Sequence, residues 1–402
     1  SAPAFQIFHT LRGIWEAGGD VRFITPWPVR LVRERCEALT GREFPEGLEV
    51  VSLGSGPDVP VLARLWPSQV WSGVVARLQR YVQKVQRRDP ELVVYTRNRR
   101  AAAALPPASC PPVVFEYHEP QSVVLAEEFD HQRDEAKLDR VRSEERQAFA
   151  NASALVAVSQ AHAAEAGSLY EFTGRQWVIP NAADPSIFSV PDSVRRPRPG
   201  HLLYIGSIQP WKGLDLLLRA VARVPGARLT VCGGRPDSPT WKEMATQIAA
   251  LGITHRVRMV GIVPQHNLRP YLASAVAGVL PLNGKYALAS RYTCPLKLFE
   301  YACAGLPIVA TDLPSVRSIV QHERESLLFE DGNLHSLTRT LARLINDSVL
   351  ADRLSAQARQ TATEHTWQRR GARIIEACQR ALTERSGRSE DVPAPVGTRL
   401  SA

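Results

Sequence analysis

Short apolar runs rich in Val, Ile and Leu alternate along most of this chain with longer stretches whose apolar residues recur every three to four positions. That alternation predicts parallel sheets joined by crossover helices. Strands are expected at 21–25, 48–53, 92–95, 113–117 and 154–158 in the first half, and at 201–205, 228–232, 257–260, 278–281 and 307–311 in the second. Two doubly wound halves follow, joined near 184–200, where SVRRPRPG over 193–200 has the composition of an exposed linker. Open α/β sheets bind ligands at the carboxyl ends of their strands, so the expected site is the cleft between the halves.

The start departs from this plan. Residues 2–16 predict an amphipathic helix with Phe5, Phe8, Leu11 and Ile14 spaced by three, followed at once by Gly18, Gly19 and the strand VRFIT. A doubly wound domain opens on a strand and a phosphate-facing turn, so the expectation is a first domain that lacks its first strand.

Composition narrows the function classes. With 402 residues, 44% hydrophobic and 22% charged, the chain is excluded from disordered, collagenous and coiled-coil classes. The net charge of +9 is uneven: residues 1–190 hold 21 basic and 23 acidic side chains, and residues 191–402 hold 28 and 17. A half that binds a phosphorylated ligand explains that asymmetry, and a nucleic-acid partner is not needed. The cysteines at 36, 110, 232, 294, 303 and 378 form no C-x-x-C pair, which suits reduced thiols and a cytoplasmic protein. No apolar run approaches the roughly 20 residues of a membrane span, and no signal-peptide pattern opens the chain.

Two segments of the second half carry candidate chemistry. Residues 204–215 (YIGSIQPWKGLD) read as a strand, a glycine-containing turn with Lys212, and a helix start; free N–H groups, the helix dipole and the ammonium together suit a diphosphate. A solvated loop lysine is the alternative on this segment alone. Residues 292–312 (YTCPLKLFEYACAGLPIVATD) read as a helix that closes on Gly305, then a buried strand opened by Pro307. Glu300 falls inside that apolar helix and must have a hydrogen-bond partner, either a ribose hydroxyl or a nearby arginine or backbone N–H.

Taken in order, strand-G-S-x4-K-G-x-D, G-I-V after a strand, and P-L-K-L-F-E-Y-x-x-A-G-x-P-I-V-A-T-D resemble the donor domain of retaining glycosyltransferases of family 4. The branch resembled is the one with the P-L-K-L-F-E-Y motif. VIPNAADPSIF over 178–188 resembles the family's interdomain connection, and Trp367 resembles the tryptophan before the helix that returns to the first domain. The resemblance covers roughly residues 5–382. It implies the GT-B fold, two doubly wound parallel-sheet (Rossmann-like) α/β domains facing a cleft. The domains expected are an acceptor-side domain over 1–190, a nucleotide-sugar donor domain over 191–365, a returning helix over 366–384 and a disordered tail over 385–402.

By the same resemblance, Lys212 contacts the donor diphosphate with Gly206 and Ser207 in its turn, and Glu300 contacts the ribose. The backbone at Gly261, Ile262 and Val263 meets the base, while Cys294, Pro295, Leu296 and Lys297 approach the phosphate or sugar. His118, at the end of the strand FEY, faces the donor sugar, with a satisfied loop histidine as its alternative. The implied reaction is retaining and metal-independent, with a UDP- or GDP-linked sugar as donor substrate and no further cofactor. The acceptor is a carbohydrate, lipid-linked or small molecule.

Two positions depart from the family pattern. Tyr292 stands where a glutamate eight before Glu300 is usual, and Ser207 where an arginine is usual; Arg291 or Lys297 is close enough in sequence to compensate. These departures motivate a second reading, a catalytically silent GT-B partner subunit; a sugar-nucleotide epimerase on the same fold is a third. In the first half, 71–88 predicts a helix with Val75, Leu78, Val82 and Val85 on one side and Arg77, Arg80, Lys84, Arg87 and Arg88 on the other. That basic face is either a solvated surface or a peripheral contact with an anionic membrane, at its inner surface. The charge-dense stretch 126–146 predicts one long exposed helix with i,i+4 pairs.

Overall fold

Runs such as VVFEY, ALVA and HLLYI bury nearly every side chain, without the alternation of a half-exposed sheet, and fold as parallel strands covered by helices on both faces. The computed structural model describes residues 2–54, 67–128 and 135–387. The first domain comprises α1 (Ala2–Glu16), β1 (Arg22–Thr25), α2 (Val29–Thr40), β2 (Glu49–Ser52), α3 (Pro67–Gln86), β3 (Val94–Thr96), α4 (Arg99–Ala103), β4 (Val113–Tyr117), α5 (Gln121–Glu128), α6 (Glu135–Asn151), β5 (Ala154–Ala157), α7 (Gln160–Tyr170) and β6 (Arg175–Val178). Its strands are all parallel and form two groups, β1-β2 and β3-β4-β5-β6. Ile24 of β1 still packs into the core of the larger group, against a cluster containing Val82, Leu105 and Phe115.

The short helix α8 (Pro185–Phe188) lies in the connection. The second domain then follows as β7 (His201–Ile205), α9 (Leu214–Arg223), β8 (Arg228–Cys232), α10 (Pro239–Ala250), β9 (Val257–Gly261), α11 (Arg269–Ser274), β10 (Ala277–Leu280), α12 (Ala287–Ser290), α13 (Leu296–Cys303), β11 (Ile308–Thr311), α14 (Pro314–Arg317), β12 (Ser326–Phe329), α15 (Leu334–Asn346) and α16 (Ser348–Glu364). Its six-stranded parallel sheet has the order β12-β11-β10-β7-β8-β9. Strands β6 and β12 were not expected. Both are four-residue edge strands, too short to show a period against their surroundings.

The last helix, α17 (Trp367–Arg385), crosses back and packs along α1. Close approach is set by glycines on both helices: a Cβ on Gly13 would overlap the Trp367 carbonyl, and one on Gly371 would overlap the Gly13 carbonyl. The apolar face expected from Phe5, Phe8, Leu11 and Ile14 packs inward in part: Phe8 and Leu11 lie against the cluster of Val32, Cys36, Phe44 and Leu48, and Ile14 lies in the cluster with Val114 and Ile374. Of those four only Ile14 is fully buried, and a second, largely polar side of Gln6, His9, Thr10 and Gly13 is buried as well, because α1 lies between the two domains and α17.

One further expectation is corrected. The stretch 126–146 is not wholly exposed: its described residues belong to the end of α5 and the start of α6, and α6 buries Leu138, Val141, Glu145, Ala148 and Phe149. The tail from 388 onward and the Trp71 side chain lie outside the described residues. Helix α3 buries Val74 and Val82, with Leu78 and Tyr81 packed against the core, and leaves Arg80, Lys84, Arg87 and Arg88 exposed.

Candidate active site

At the carboxyl end of β7 the chain turns sharply. The Gly206 N–H donates to the Cys232 carbonyl at 3.0 Å, and the Tyr204 hydroxyl donates to the Ser207 carbonyl at 2.8 Å. A 3₁₀ turn over Pro210–Lys212 follows, then Gly213 at φ 65°, where a Cβ would overlap the Pro281 carbonyl. Helix α9 begins there without a side-chain cap, so its first N–H groups are open to an anion. Lys212 holds its ammonium 3.8 Å from the centre of the Trp211 ring and has no carboxylate partner among the described residues. Burial, with a smaller push from Lys297, lowers the Lys212 pKa to about 7. Two converging lysines, one without a counter-charge, make a site that gains from an anion.

Glu300 is 2% exposed on α13. Burial raises its pKa, while Lys297, one turn earlier, forms an ion pair with it and opposes the rise. Gln265 also donates to the carboxylate, and its Oε1 accepts from His9 Nε2 at 2.9 Å, so a chain of hydrogen bonds runs from α1 to Glu300 across the domains. His9 is itself stacked on Trp367, ring centres 5.2 Å apart. The protein partners of Glu300 are therefore a lysine and a glutamine, neither the arginine nor the backbone N–H expected from sequence. Lys297 lies near Lys212, whereas Arg291 stacks its guanidinium on Tyr292.

The turn before α13 is held by the interdomain connection: Asn181 Nδ2 donates to the Cys294 carbonyl at 2.8 Å and the Asn181 N–H donates to the Cys294 sulfur. Pro295 occupies the N-cap of α13, followed by half-buried Leu296 and Lys297. Gly261 ends β9 at φ 89°; after it Ile262 is 67% exposed and Val263 packs against the core.

His118 sits in a buried polar network, not open to the cleft on its Nε2 side. Glu116 Oε1 accepts from Gln6 Nε2 at 2.6 Å, from Arg370 Nη2 at 2.7 Å, and from His118. Gln6 also donates to Asn181 Oδ1 at 3.1 Å. Its two amide hydrogens are thus used, which leaves His118 to donate its own Nε2–H to the carboxylate. Burial, then the Arg97 charge, lowers the His118 pKa to about 4; the adjacent carboxylate only partly offsets them. Arg370 also reaches Thr10 at 2.9 Å and the Pro180 carbonyl at 3.1 Å. Sequence reading missed Gln6, Thr10, Glu116 and Arg370; the one local signal was Glu116 in the apolar run VVFEY, a carboxylate in a strand expected to be buried.

Tyr292, at the departed glutamate position, donates its hydroxyl to Glu165 of the first domain. Nearby, Glu127 of α5 accepts the Ala287 N–H at 3.0 Å. Carboxylates from the first domain thus reach the segment where the second domain lacks one. No hydrogen bond joins His118 to Lys212 among the described residues; the two are related through Gln6, Asn181 and the Cys294 turn. All six cysteines are free thiols. Among the described residues, no group of three or more His, Cys, Asp or Glu side chains could hold a metal ion, and no helix is long and apolar enough to cross a membrane.

Comparison with known proteins bears on this arrangement. Residues 5–187 match the family model described as Glycosyltransferase Family 4, and residues 199–347 match Glycosyl transferases group 1. The chain is 29% identical over 193 residues to D-inositol 3-phosphate glycosyltransferase of Streptosporangium roseum, covering 45% of this chain and 42% of that protein. Its namesake in Stackebrandtia nassauensis is 28% identical over 271 residues, 62% and 59% of the two chains. The chain therefore spans about half the length of these curated relatives. Among solved structures, sucrose-phosphate synthase of Thermosynechococcus elongatus superposes with a TM-score of 0.72 at 17% identity, covering 94% of this chain and 93% of that one. Anabaena HepE in complex with UDP-glucose gives 0.65 at 17% identity, covering 93% and 96%. Both share the two-domain fold.

Proposed function

This chain is built from a glycosyltransferase family 4 domain followed by a glycosyl transferases group 1 domain in the GT-B fold, and from that premise we propose that it moves a sugar from a nucleoside-diphosphate donor to an acceptor hydroxyl, with retention and without a metal. The acceptor is a carbohydrate, a lipid-linked sugar or a small molecule. The observation that carries the reading is Lys212, without a counter-charge beside Lys297 at the uncapped start of α9. A diphosphate supplies the missing negative charge. As the glycosidic C–O bond to phosphate breaks, charge grows on the leaving oxygen, and a preplaced ammonium with helix N–H groups stabilises that state more than the ground state. The two lysines perform the neutralisation for which a divalent ion would otherwise be used. The acceptor oxygen bonds to the anomeric carbon from the face that the phosphate leaves, and its proton passes to the phosphate oxygen, so no protein nucleophile is consumed.

To Glu300, which pairs with Lys297 and stands at the end of the His9–Gln265 chain, we assign acceptance of the ribose hydroxyls. The HepE complex with UDP-glucose supports testing uridine nucleotides first. Calorimetric titration with UDP, GDP and their sugars is expected to show binding of at least one, with slow donor hydrolysis when no acceptor is present. If none of them binds, the reading fails and the silent-subunit alternative takes its place.

The exposed basic face of α3 extends the proposal to the surface of an anionic membrane, where each lysine or arginine contributes about 1 kcal/mol. Co-sedimentation with phosphatidylglycerol vesicles at low salt is expected, and Arg80→Glu with Lys84→Glu should weaken it at least tenfold. A parent protein that stays in the supernatant at low salt rules the contact out.

A further inference from the structure

His9 is 2% exposed, and the transfer chemistry gives it no role. It stands on α1 of the first domain, yet its hydrogen bond leaves that domain: Nε2 lies 2.9 Å from Oε1 of Gln265 in the second. An amide oxygen only accepts, so His9 carries a hydrogen on Nε2 and donates it. Burial lowers the His9 pKa, and the ring donates in its neutral form. Its plane is fixed by stacking on Trp367, with 11° between the rings.

Gln265 is 5% exposed in the 3₁₀ turn Gln265–Asn267 that follows β9. The turn rests on the first domain, since a Cβ on Gly41 at the end of α2 would overlap the His266 ring. A glutamine amide fits its space either way round, and its partners decide which. With Oε1 taken by His9, the NH₂ group faces Glu300 and donates to the carboxylate. Turned over, the amide would set its oxygen against a buried negative charge.

The orientation matters because Glu300 shares its other partner. Lys297 pairs with the carboxylate and also lies close enough to Lys212 to lower its pKa. A diphosphate at Lys212 draws on the same ammonium. The Gln265 N–H is then the donor that keeps a desolvated carboxylate ionised and aimed, with its remaining lone pairs free for hydroxyl groups.

Resting on the assignment of Glu300 to the donor ribose, we propose that His9 is a positioning residue: by fixing the Gln265 amide it sets the Glu300 carboxylate for the ribose hydroxyls. Recognition of the ribose in the second domain thereby depends on the docking of α1 from the first. His9 acts through Gln265 and not by contact with the donor.

The test compares UDP with 2′,3′-dideoxy-UDP by calorimetry on the full chain, with the guanosine pair in their place if the parent binds GDP instead. The parent is expected to bind the ribose form at least tenfold more tightly. His9→Phe keeps a ring on Trp367 and lacks the donor; it should lower that preference at least fivefold, with affinity for the dideoxy nucleotide within twofold of the parent's. His9→Gln keeps an N–H at similar reach and loses the ring; it should retain the preference within twofold. A packing role predicts the reverse order of the two variants. A preference unchanged in His9→Phe, or lost equally in both, overturns the proposal. Should His9→Phe fail to fold, Gln265→Met removes the same contact from its other end, and an unchanged preference there overturns the proposal as well. Glu300→Gln in the same assay separates the two readings. If it abolishes the preference while His9→Phe keeps it, only the role of His9 fails. If the parent binds neither nucleotide or shows no preference, or if Glu300→Gln keeps the preference, the ribose assignment fails and takes the proposal with it.

Discussion

Replacing Lys212 by alanine is expected to weaken nucleoside-diphosphate binding about tenfold to a hundredfold, since a hydrogen bond to a charged group contributes about 1.5–3 kcal/mol and each decade of affinity corresponds to about 1.4 kcal/mol. Calorimetry on parent and variant measures it directly. The melting temperature should not fall, because the ammonium is desolvated and lacks a carboxylate partner among the described residues. Binding should also depend on pH. With its pKa lowered to about 7, Lys212 in the unliganded protein loses its charge as pH rises through that value, and a bound diphosphate restores the charge by taking up a proton. Affinity is therefore expected to fall above about pH 7 in the parent and to be flat there in the alanine variant. Stability runs the other way: between about pH 7 and the ordinary lysine range the unfolded chain binds more protons than the folded one, so this group favours folding more as pH rises. Glu300→Gln should weaken nucleoside binding with the fold intact. Should both variants bind nucleotide like the parent, the donor site is misplaced.

The second large effect concerns stability. Arg370 and Glu116, each 2% exposed, form the centre of the network that joins α1, β4, the interdomain connection and α17. Arg370→Met leaves the Glu116 carboxylate buried without its main counter-charge, and breaking such a pair on one side costs about 3–5 kcal/mol. Urea unfolding should show that loss as a lower midpoint. The double variant Arg370→Met, Glu116→Leu should recover part of it, because no charge is then stranded. Additive losses would mean that the two side chains do not interact. Acid should act on the same network. Glu116 is depressed to about 2: burial raises its pKa, but Arg370, His118 and Gln6 together outweigh that, so its contribution is present above the ordinary carboxylate range and is lost as pH falls toward 2. His118, held neutral by burial, opposes folding progressively as pH falls from its ordinary value to about 4. Both move in the same direction, and the midpoint should fall from about pH 6.5 downward.

Legibility from sequence followed the range of the interactions. Lys212, its glycine turn and the α9 start lie within a few residues of one another, and the pattern predicted them in place. The segment around Glu300 was legible as a helix, yet its partners were only half so: Lys297 is three residues away, whereas Gln265 and His9 come from other elements. For His118 the strand end was correct, while its engagement by Glu116 and Gln6 had no sequence signal at position 6. Phe8 and Leu11 marked one packed side of α1, while Gln6, His9 and Thr10 on a second buried side left no apolar signal, because a stripe marks every buried side only when a helix has one.

The amino-acid sequence by itself determined the parallel α/β layering, the division into two halves, the positive balance of the second half, and the glycine turns. Each depends on periodicity, composition or backbone conformation within about ten residues. Tertiary structure alone decided which polar groups are satisfied. Glu116 meets Gln6 and Arg370 across 110 and 254 positions, Tyr292 meets Glu165 across 127, and Arg97 meets no hydrogen-bond partner for its Nη1 among the described residues. A buried charge has the same local sequence whether or not a partner waits across the fold. Its energy, and so its use, depends on which distant side chain the packing brings within about 3 Å.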